Sequence, residues 1–331
     1  MIDNIELTWL LDTLAAFSLC LTVLLALGLD HWLGEARRFH YLVGFGNLAN
    51  QLEKKLSFNS QYLKDDQRSI KAIFIGGLSW CLLVLPLPAV YLLWLNELPW
   101  YLQILLDGFI LYLAIGLNSL AQHAQQVYVP LQQDDLATAR HYTSYLVSRD
   151  TSQLTPEQMS RATVESMLEN GHDAVIASLV YYLVGGIPLV ITHRLANTLD
   201  AMWGYKTTRF LSFGYAAARL DDVLGFISGK CTTLLYALQR PFWLSLKNAY
   251  QQGNQYKSHN GGWVMAAGAT VISRTLGGSA QYHGATITSP TLGQGQAVTV
   301  QDIPRSVNVV RRASGTLLLV LFAAQCVLFI L

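Results

Sequence analysis

The apolar run AVIASLVYYLVGGIPLVIT, residues 174–192, is long enough to enter a bilayer but is interrupted in its centre. About 20 apolar residues cross the hydrocarbon core as a helix. Gly185-Gly186-Ile187-Pro188 breaks this run, because glycine and proline disfavour a continuous helix. Irregular backbone at that depth needs protein or water around it to satisfy its polar groups. The run therefore predicts either a broken span or a re-entrant hairpin.

The composition of the whole chain also indicates a membrane protein. Of its 331 residues, 52% are apolar and 13% are charged, against about 25% charged in a soluble domain. A shorter apolar piece, about 231–246, contains Arg240-Pro241 and predicts an interfacial or buried helix. Four further runs are long enough to span a bilayer: about 9–29, 72–95, 101–120 and 313–331. We therefore expect one all-α polytopic membrane domain over residues 1–331, with about four to five spans plus re-entrant or interfacial helices.

The distribution of cations predicts how this domain is oriented. Lysine and arginine are frequent in segment 30–71, whereas the short turn 96–100 has none. Because cytoplasmic loops of membrane proteins are enriched in cations, segments 30–71, 121–172 and 194–312 are predicted to be cytoplasmic. We expect a multi-pass protein of the inner membrane whose polar site faces the cytoplasm. The net charge of +1 argues against a nucleic-acid partner, which would require a basic excess.

The polar segment just before the interrupted run predicts a helix with defined ends. Thr155 is a candidate N-cap, Pro156 suits the first helical position, and Gln158 completes a capping box. Gly171 suits the left-handed position at which many helices end. The segment 150–173 is therefore expected to hold one helix that stops before the apolar run.

One face of this helix carries acidic side chains. Arg161, Glu165 and Glu169 follow each other at intervals of four and share that face. The two carboxylates lie towards the helix end, where the helix dipole disfavours negative charge. They could bind Mg²⁺ or an amine, with further ligands from Asn170, His172 and Asp173. The alternative is a solvated face with an Arg161–Glu165 ion pair and Asp173 capping the next helix.

The segment LDAMWGYKTTRFLSFGYAAARLDD, residues 199–222, combines cations, acids and aromatic rings. Its cations could bind phosphate while its rings stack on a flat ligand. An aromatic belt at the membrane interface is the alternative, and it accounts for the rings and the cations. A belt does not account for the acids, although Asp221 or Asp222 could cap a short helix. Asp200 then remains without a structural explanation.

Familiar short motifs are missing from the chain. No Walker A loop, GxSxG, HExxH or dinucleotide fingerprint is present. The four cysteines show no metal-binding or disulfide spacing and are expected to be reduced thiols. The segment 277–297 is rich in Gly, Ser and Thr and is predicted to be a loop.

Several ordered motifs together resemble the CobD/CbiB family of cobalamin biosynthesis, the membrane-bound cobinamide-phosphate synthases. The resemblance covers most of the chain. It is carried by DHWLGEARRFH (30–40), RDT (149–151), ESMLENGHD (165–173), NTLDAMWGYK (197–206), FGYAAARLDD (213–222) and the GW…LGG pattern within 260–278. Each motif alone is weakly specific, whereas their common order is a strong signal.

The resemblance implies an all-helical membrane enzyme that forms an amide. Its substrates would be adenosylcobyric acid and aminopropanol (or ethanolamine) phosphate, and ATP and Mg²⁺ would drive the reaction. The lipid bilayer and other late cobalamin-pathway membrane enzymes would be its partners. The implied catalytic residues are Glu165, Glu169, Asp173 and Asp200, with Glu165, Glu169 and Asp222 as candidate Mg²⁺ ligands. The implied substrate- and phosphate-binding residues are Arg149, Asp150, Asn170, Asn197, Lys206, Arg209, Arg219, Asp221, Asp222, Glu35 and His40.

The chain departs from the family pattern at three places. His40-Tyr41, Ala177-Ser178 and Trp263-Val264 lack a proline that the family usually has, and none of the three loses an ionisable group. Two other functions remain open. One is a non-enzymatic signalling protein of the related AmpE-like type. The other is a corrinoid transporter with its substrate site at the broken run 174–192.

Overall fold

The computed structural model describes residues 2–34, 41–56, 69–282 and 285–331, and most of these residues are helical. The helices are α1 (Ile2–Ala16), α2 (Ser18–Leu33), α3 (Tyr41–Leu56), α4 (Ile70–Val84), α5 (Pro86–Val90), α6 (Trp100–Ala114), α7 (Leu117–Gln132), α8 (Leu136–Thr143), α9 (Pro156–Gly171), α10 (Ala177–Trp203), α11 (Tyr215–Ala237), α12 (Phe242–Gly253), α13 (His259–Val271) and α14 (Asp302–Ile330). The strands are β1 (Arg274–Tyr282), β2 (Ala285–Gly293) and β3 (Gln296–Ala297). Two π-helical turns, Tyr91–Leu95 and His172–Ile176, join neighbouring helices.

The all-α polytopic class predicted from the sequence is confirmed. In the described part of the chain, four helical stretches are long and apolar enough to cross a membrane: Ile70–Leu95, Trp100–Gln132, Pro156–Trp203 and Asp302–Ile330. The pair Trp9–Ala16 and Ser18–Leu33, bent by 67°, would be a fifth if it forms one span. The runs predicted at 72–95, 101–120, 174–192 and 313–331 fall almost entirely within these four stretches, and the run 9–29 falls within the bent pair.

The interrupted run folds back on itself, which decides between the two alternatives left open by the sequence. A straight helix would separate Asp173 from Arg194 by about 31 Å. In the structure, Arg194 Nη1 lies 3.3 Å from the backbone oxygen of Asp173. The reversal occurs at Gly185 and Gly186, and Gly186 has φ of 62° and ψ of −161°, which only glycine adopts readily. The run is therefore a re-entrant hairpin, with both limbs inside α10.

The start of α9 follows the prediction, but the conformation at its end does not. Thr155 Oγ1 accepts a hydrogen bond from the Gln158 backbone (3.2 Å), and Gln158 Oε1 accepts one from the Thr155 backbone (2.9 Å), which confirms the capping box. α9 does end at Gly171, but the left-handed conformation predicted there is wrong, because this residue has helical φ of −59° and the chain continues through the π-helical turn. Gly171 is small for a packing reason, since a Cβ there would collide with Val310 and the Tyr236 hydroxyl.

The glycine-rich segment 277–297, predicted to be a loop, instead forms most of a small sheet with strand order β2-β1-β3. β1 and β2 are antiparallel, and the register shifts between Leu276 and Gly278, where Gly277 has φ of 78°. Glycine at positive φ is typical of a β-bulge, so glycine here marks an irregularity inside a strand. Leu276 pairs with Leu292, and both side chains are buried. The sheet packs on α13 and α12.

The piece predicted as one helix over 231–246 is also divided in the structure. Its first part completes α11, and its second part begins α12 after Pro241. Proline cannot donate a backbone hydrogen bond, so α11 ends before it and a new helix starts behind it.

A second, smaller core joins α4 to the later half of α10 and to the segment that follows it. Leu199, Trp203 and Phe213 are buried there, with Trp203 and Phe213 in edge-on contact at 5.0 Å between ring centroids. Gly76 of α4 lies directly beneath the Phe213 carbonyl, which a Cβ at position 76 would strike. This close approach fixes the segment 204–214 against the membrane helices.

We predict that Gly76→Ala destabilises the protein and that Gly77→Ala does not. The Cβ at position 76 would collide with backbone, and forced overpacking costs about 1–3 kcal/mol. The Cβ at position 77 would meet the Ala216 Cβ at an ordinary 3.7 Å. Thermal unfolding of the purified protein in detergent measures both variants. Equal unfolding midpoints for the two would contradict the close packing at Phe213.

Candidate functional site

A polar cavity of about 380 Å³ lies where the hairpin, the segment 204–214 and α11 meet. The end of α9 and the start of α13 also contribute to its lining. Its charged lining comprises five acids and three cations: Glu169, Asp173, Asp200, Asp221, Asp222, Lys206, Arg219 and Lys257. Three stretches that are separate in sequence thus contribute to one chamber.

Nine of the residues singled out by sequence lie on this cavity: Glu169, His172, Asp173, Asn197, Asp200, Lys206, Arg219, Asp221 and Asp222. The folding back of α10 brings Asn197 and Asp200 towards Glu169 and Asp173. The predicted cap role of Asp221 or Asp222 is wrong, because both lie within α11 rather than before a helix.

The other predicted site residues that the structure describes lie outside this cavity. Glu165 lies one turn before Glu169 on α9, but its Oε1 accepts a hydrogen bond from the Gly277 backbone of β1 at 2.8 Å. Asn170 donates to the Ser166 carbonyl within the same helix. Arg149 is buried, and Asp150 Oδ1 accepts from the Ser152 backbone. Glu35 and His40 fall outside the described residues.

Arg209 is held by a partner away from the cavity. Its Nε and Nη2 donate to the two carboxylate oxygens of Glu53 at 3.0 and 2.5 Å. Glu53 lies on α3 and is buried, whereas about half of the Arg209 side chain is exposed. A bidentate pair of this kind is strong and directional, so Arg209 ties the segment after α10 to α3.

Asp221 is at the centre of the acidic group. It has a side-chain hydrogen bond with Asn197, and its Oδ1 is buried without a hydrogen-bond partner among the described residues. Burial first, and then the neighbouring acids Asp173, Asp200 and Asp222, together raise the pKa of Asp221 to about 8. Such a carboxyl changes charge near neutral pH, which is a property of acid–base groups in active sites.

Two glycines make room for carboxylates of the cavity. A Cβ on Gly204 would collide with the Asp200 carboxylate, and a Cβ on Gly261 would collide with the Glu169 carboxylate. The Gly204 backbone donates to the Asp200 carbonyl at 2.7 Å, which ends α10 one turn after Asp200. Gly204 of the NTLDAMWGYK motif is therefore required, because a side chain at this position would displace the Asp200 carboxylate.

Two buried histidines, His172 and His193, also line the cavity, next to the charged residues named above. His172 Nδ1 lies 2.7 Å from Asp173 Oδ1, and its Nε2 lies 2.9 Å from Ser228 Oγ. His193 is buried, and neither of its ring nitrogens has a hydrogen-bond partner among the described residues. Sequence reasoning missed His193 and Lys257 as site residues. His193 could have been found, because positions 193, 197 and 200 share one helix face.

The carboxylates of the cavity suit a cation that is also bound by groups from outside the protein, such as phosphate oxygens or water. In the described part of the chain, no three His, Cys, Asp or Glu side chains are arranged to hold a metal ion by themselves. The excess of acids and the unpartnered Asp221 oxygen nevertheless favour a positive group in the cavity. An ammonium group fits this environment, as does Mg²⁺, which commonly combines one or two carboxylates with phosphate oxygens and water.

The cavity lies beside the entry points of two apolar helices. Ser69, just before α4, donates its backbone N–H to Ser212 Oγ at 2.9 Å. On the other side, Gly171 contacts Val310, which precedes the apolar part of α14 by a few residues. Both apolar runs therefore begin close to the cavity, which lies at one end of these membrane helices.

Comparisons with known proteins agree with this architecture. A family model described as CobD/Cbib protein matches residues 23–310. The chain is 43% identical over 304 residues to the Cobalamin biosynthesis protein CobD of Stutzerimonas stutzeri, covering 92% of this chain and 97% of the relative. It is 43% identical over 289 residues to the protein of the same name in Chromobacterium violaceum, covering 87% and 91%. The Cobalamin biosynthesis protein CbiB of Salmonella typhimurium is 34% identical over 226 residues, covering 66% and 71%. No solved structure matches the chain.

We predict that Asp221→Asn stabilises the protein at alkaline pH, by an amount that shrinks as the pH falls from about 8 towards 4. A carboxyl whose pKa rises on folding from 3.8 to about 8 contributes stability at low pH and loses it as the pH passes through that window. The amide stays neutral, so the unfolding midpoint of the variant should exceed that of the wild type at pH 9. Each kcal/mol corresponds to about 2–4 °C in a chain of this size class.

Asp135→Asn is the matched control for this measurement. Asp135 is an exposed N-cap whose pKa lies below its ordinary value through its hydrogen bond with Thr138, so it stays ionised over the same pH range. A midpoint difference for Asp221→Asn that is constant from pH 6 to pH 9 would contradict the raised pKa.

Proposed function

We propose that this chain, which belongs to the CobD/CbiB family, joins aminopropanol (or ethanolamine) phosphate to the propionate carboxylate of adenosylcobyric acid to give adenosylcobinamide phosphate. Membership of the family supports a role in cobalamin biosynthesis. The observation that carries the finer proposal is the cavity, in which mostly half-buried acids and exposed cations line one small chamber at the membrane surface. In this proposal the chamber faces the cytoplasm of a cell with an inner membrane.

The charges of the cavity complement an amino-alcohol phosphate. That substrate carries an ammonium group at one end and a phosphate at the other. Asp200 and Asp221 would receive the ammonium group, while Lys206, Arg219 and Lys257 would bind phosphate oxygens through charge-assisted hydrogen bonds. The acids come from α10 and α11, and the cations lie around the exposed rim. One substrate could therefore contact both sets of side chains.

Amide formation requires the amine to lose a proton before it attacks a carboxyl carbon. Asp221 suits the role of proton acceptor, because its pKa of about 8 makes its carboxylate more basic than an ordinary aspartate. The hydrogen bond with Asn197 would hold one oxygen and leave Oδ1 directed at the amine. Asp200, one helical turn from Gly204, would orient the same nitrogen.

ATP and Mg²⁺ belong to the proposal because condensation of a free carboxylate with an amine is unfavourable in water. Mg²⁺ would neutralise phosphate charge, and Glu169 and Asp222 are the cavity carboxylates that we assign to it, with Asp173 nearby. Glu165, also expected as a ligand, is engaged by β1 and would act by supporting the sheet. We assign no residue to the nucleotide base, since the chain has no Walker motif.

The size of the cavity limits which part of the corrinoid it could accept. Its volume of about 380 Å³ is near the lower end of the range of about 300–1,000 Å³ for ligand sites. An amino-alcohol phosphate and the reacting propionate arm fit such a space, whereas the macrocycle would remain at the rim. Tyr205 is half exposed there, and Arg219 stacks on Tyr215 with 5.5 Å from Cζ to the ring centroid. These flat groups offer a surface for the corrin ring.

A corrinoid transporter is the second candidate, and the re-entrant hairpin favours it. Discontinuous helices commonly form the substrate sites of transporters. Uptake of labelled corrinoid into proteoliposomes without ATP would support transport, whereas the synthase requires product formation in open membranes. A signalling protein of the AmpE-like type has no evident need for clustered buried carboxylates, and it predicts neither outcome.

We predict that Asp200→Asn lowers the rate of adenosylcobinamide phosphate formation by at least about 100-fold, a typical cost of removing one group that contacts reacting atoms. Membranes containing the protein, adenosylcobyric acid, aminopropanol phosphate and MgATP provide the assay. Glu157→Gln, an exposed change in the first turn of α9, is the control and should keep full activity. Full activity of folded Asp200→Asn would remove this acid from the site, and no product from the folded wild type would refute the synthase.

We predict different consequences for two neighbouring cations. Lys206→Met should raise KM for the amine phosphate by about 10- to 100-fold, since a hydrogen bond to a charged group contributes about 1.5–3 kcal/mol. Arg209→Met should leave KM unchanged and lower the free energy of unfolding, because it leaves buried Glu53 unpaired. The double change Glu53→Met and Arg209→Met should recover part of that stability. A raised KM with unchanged stability in Arg209→Met would restore its predicted phosphate-binding role.

A further inference from the structure

α11 presents an exposed apolar stripe that Lys230 and Cys231 interrupt. Its exposed apolar side chains, with that of the C-cap residue, are Leu220, Val223, Phe226, Ile227, Leu234 and Leu238. Val223 is 69% exposed. This spacing puts the six side chains on one helix face. Nevertheless, α11 is not one of the four described helical stretches that are long and apolar enough to cross a membrane.

The packing of α11 sets its direction relative to the membrane. At its start, Ala216 lies beside Gly77, about 10 Å along α4 from the first residue of that helix. At its end, Gln239 Nε2 donates to the Val309 carbonyl, about 6 Å before the apolar part of α14. A crossing helix would separate its ends by about 30 Å in depth. α11 therefore lies closer to the membrane plane than to the membrane normal.

α12 extends the stripe with residues typical of a membrane interface. Trp243 is 80% exposed and Tyr250 is 63% exposed, and Lys247 lies between them. The intervals of four and three residues put these side chains on one face of α12. Tryptophan and tyrosine are enriched at headgroup level, and lysine extends its charge towards phosphate.

The charge of this part of the chain is strongly asymmetric. No Asp or Glu occurs from residue 223 to residue 301, whereas the same segment contains Lys230, Arg240, Lys247, Lys257 and Arg274. The whole chain has a net charge of only +1. Asp221 and Asp222 at the start of α11 line the cavity, and the rest of α11 and all of α12 contain no acid, so this surface is complementary to an anionic partner.

We propose that the exposed faces of α11 and α12, here called the platform, rest in the headgroup layer of anionic phospholipids. The apolar stripe enters the boundary with the acyl chains, as in interfacial amphipathic helices, and the cations meet lipid phosphates. Arg219 begins the same face and lines the cavity, so the cavity entrance lies at headgroup depth. The inference is independent of which reaction the cavity performs.

Photo-crosslinking in nanodiscs tests this contact. A benzophenone amino acid replaces Trp243 in one variant and Tyr145 in another, since Tyr145 is 64% exposed in a polar segment away from the platform. Discs contain either phosphatidylcholine alone or a mixture with phosphatidylglycerol, and mass spectrometry identifies the adducts. We expect severalfold more phospholipid adduct at position 243 than at position 145, with phosphatidylglycerol over-represented in the mixture.

A charge reversal supplies the second arm. Lys247→Glu in the Trp243 crosslinking variant should lower phosphatidylglycerol adducts severalfold, and Lys55→Glu, an exposed change at the end of α3, should not. Equal lipid adducts at positions 243 and 145 would overturn the proposal. Protein adducts at position 243 in place of lipid adducts would overturn it too, because they would identify a protein as the occupant.

Discussion

The contact between Arg194 and the Asp173 carbonyl closes the hairpin on which the site depends. If α10 ran straight, Asp200 would lie about 40 Å from Asp173, and no common cavity could form. Closure also gives the backbone inside the membrane domain a protein environment, because the limbs pack against α6, α11 and α4. The same turn therefore satisfies the hydrogen-bonding demands of a broken helix and assembles the polar chamber.

Clustering acids in this chamber lowers the stability of the folded state, because their negative charges repel each other. Neighbouring residues accommodate these carboxylates. Small residues leave space for the Asp200 and Glu169 carboxylates, and Asn197 hydrogen-bonds with Asp221. Three cations lie around the exposed rim, and Arg219 Nη1 lies 3.6 Å from Asp222 Oδ2, but the five acids of the cavity remain in excess. An arrangement that keeps like charges together is expected where binding of a positively charged ligand offsets the repulsion.

Local patterns in the sequence predicted the local features well. The apolar runs matched helices, the Thr155 capping box formed, and the NTLDAMWGYK motif delivered Asp200 to the cavity. Long-range contacts account for the errors. Glu165 and Glu169 share a helix face, but Gly277, far along the chain, approaches only Glu165. A Gly-Gly-x-Pro sequence likewise breaks a helix without fixing the direction of the next segment, so only tertiary packing chooses the hairpin.

The π-helical turn at His172–Ile176 carries a consequence for how this site tolerates change in chain length. A π turn holds one residue more than the α-helical ladder around it, and such insertions are frequent at functional sites. Removing one residue there would restore a regular α-helix and rotate everything before it by about 100° relative to α10. Glu169 would then leave the chamber although every functional side chain was retained. The site is thus specified partly by residue count, which substitution experiments alone cannot detect and a single-residue deletion can.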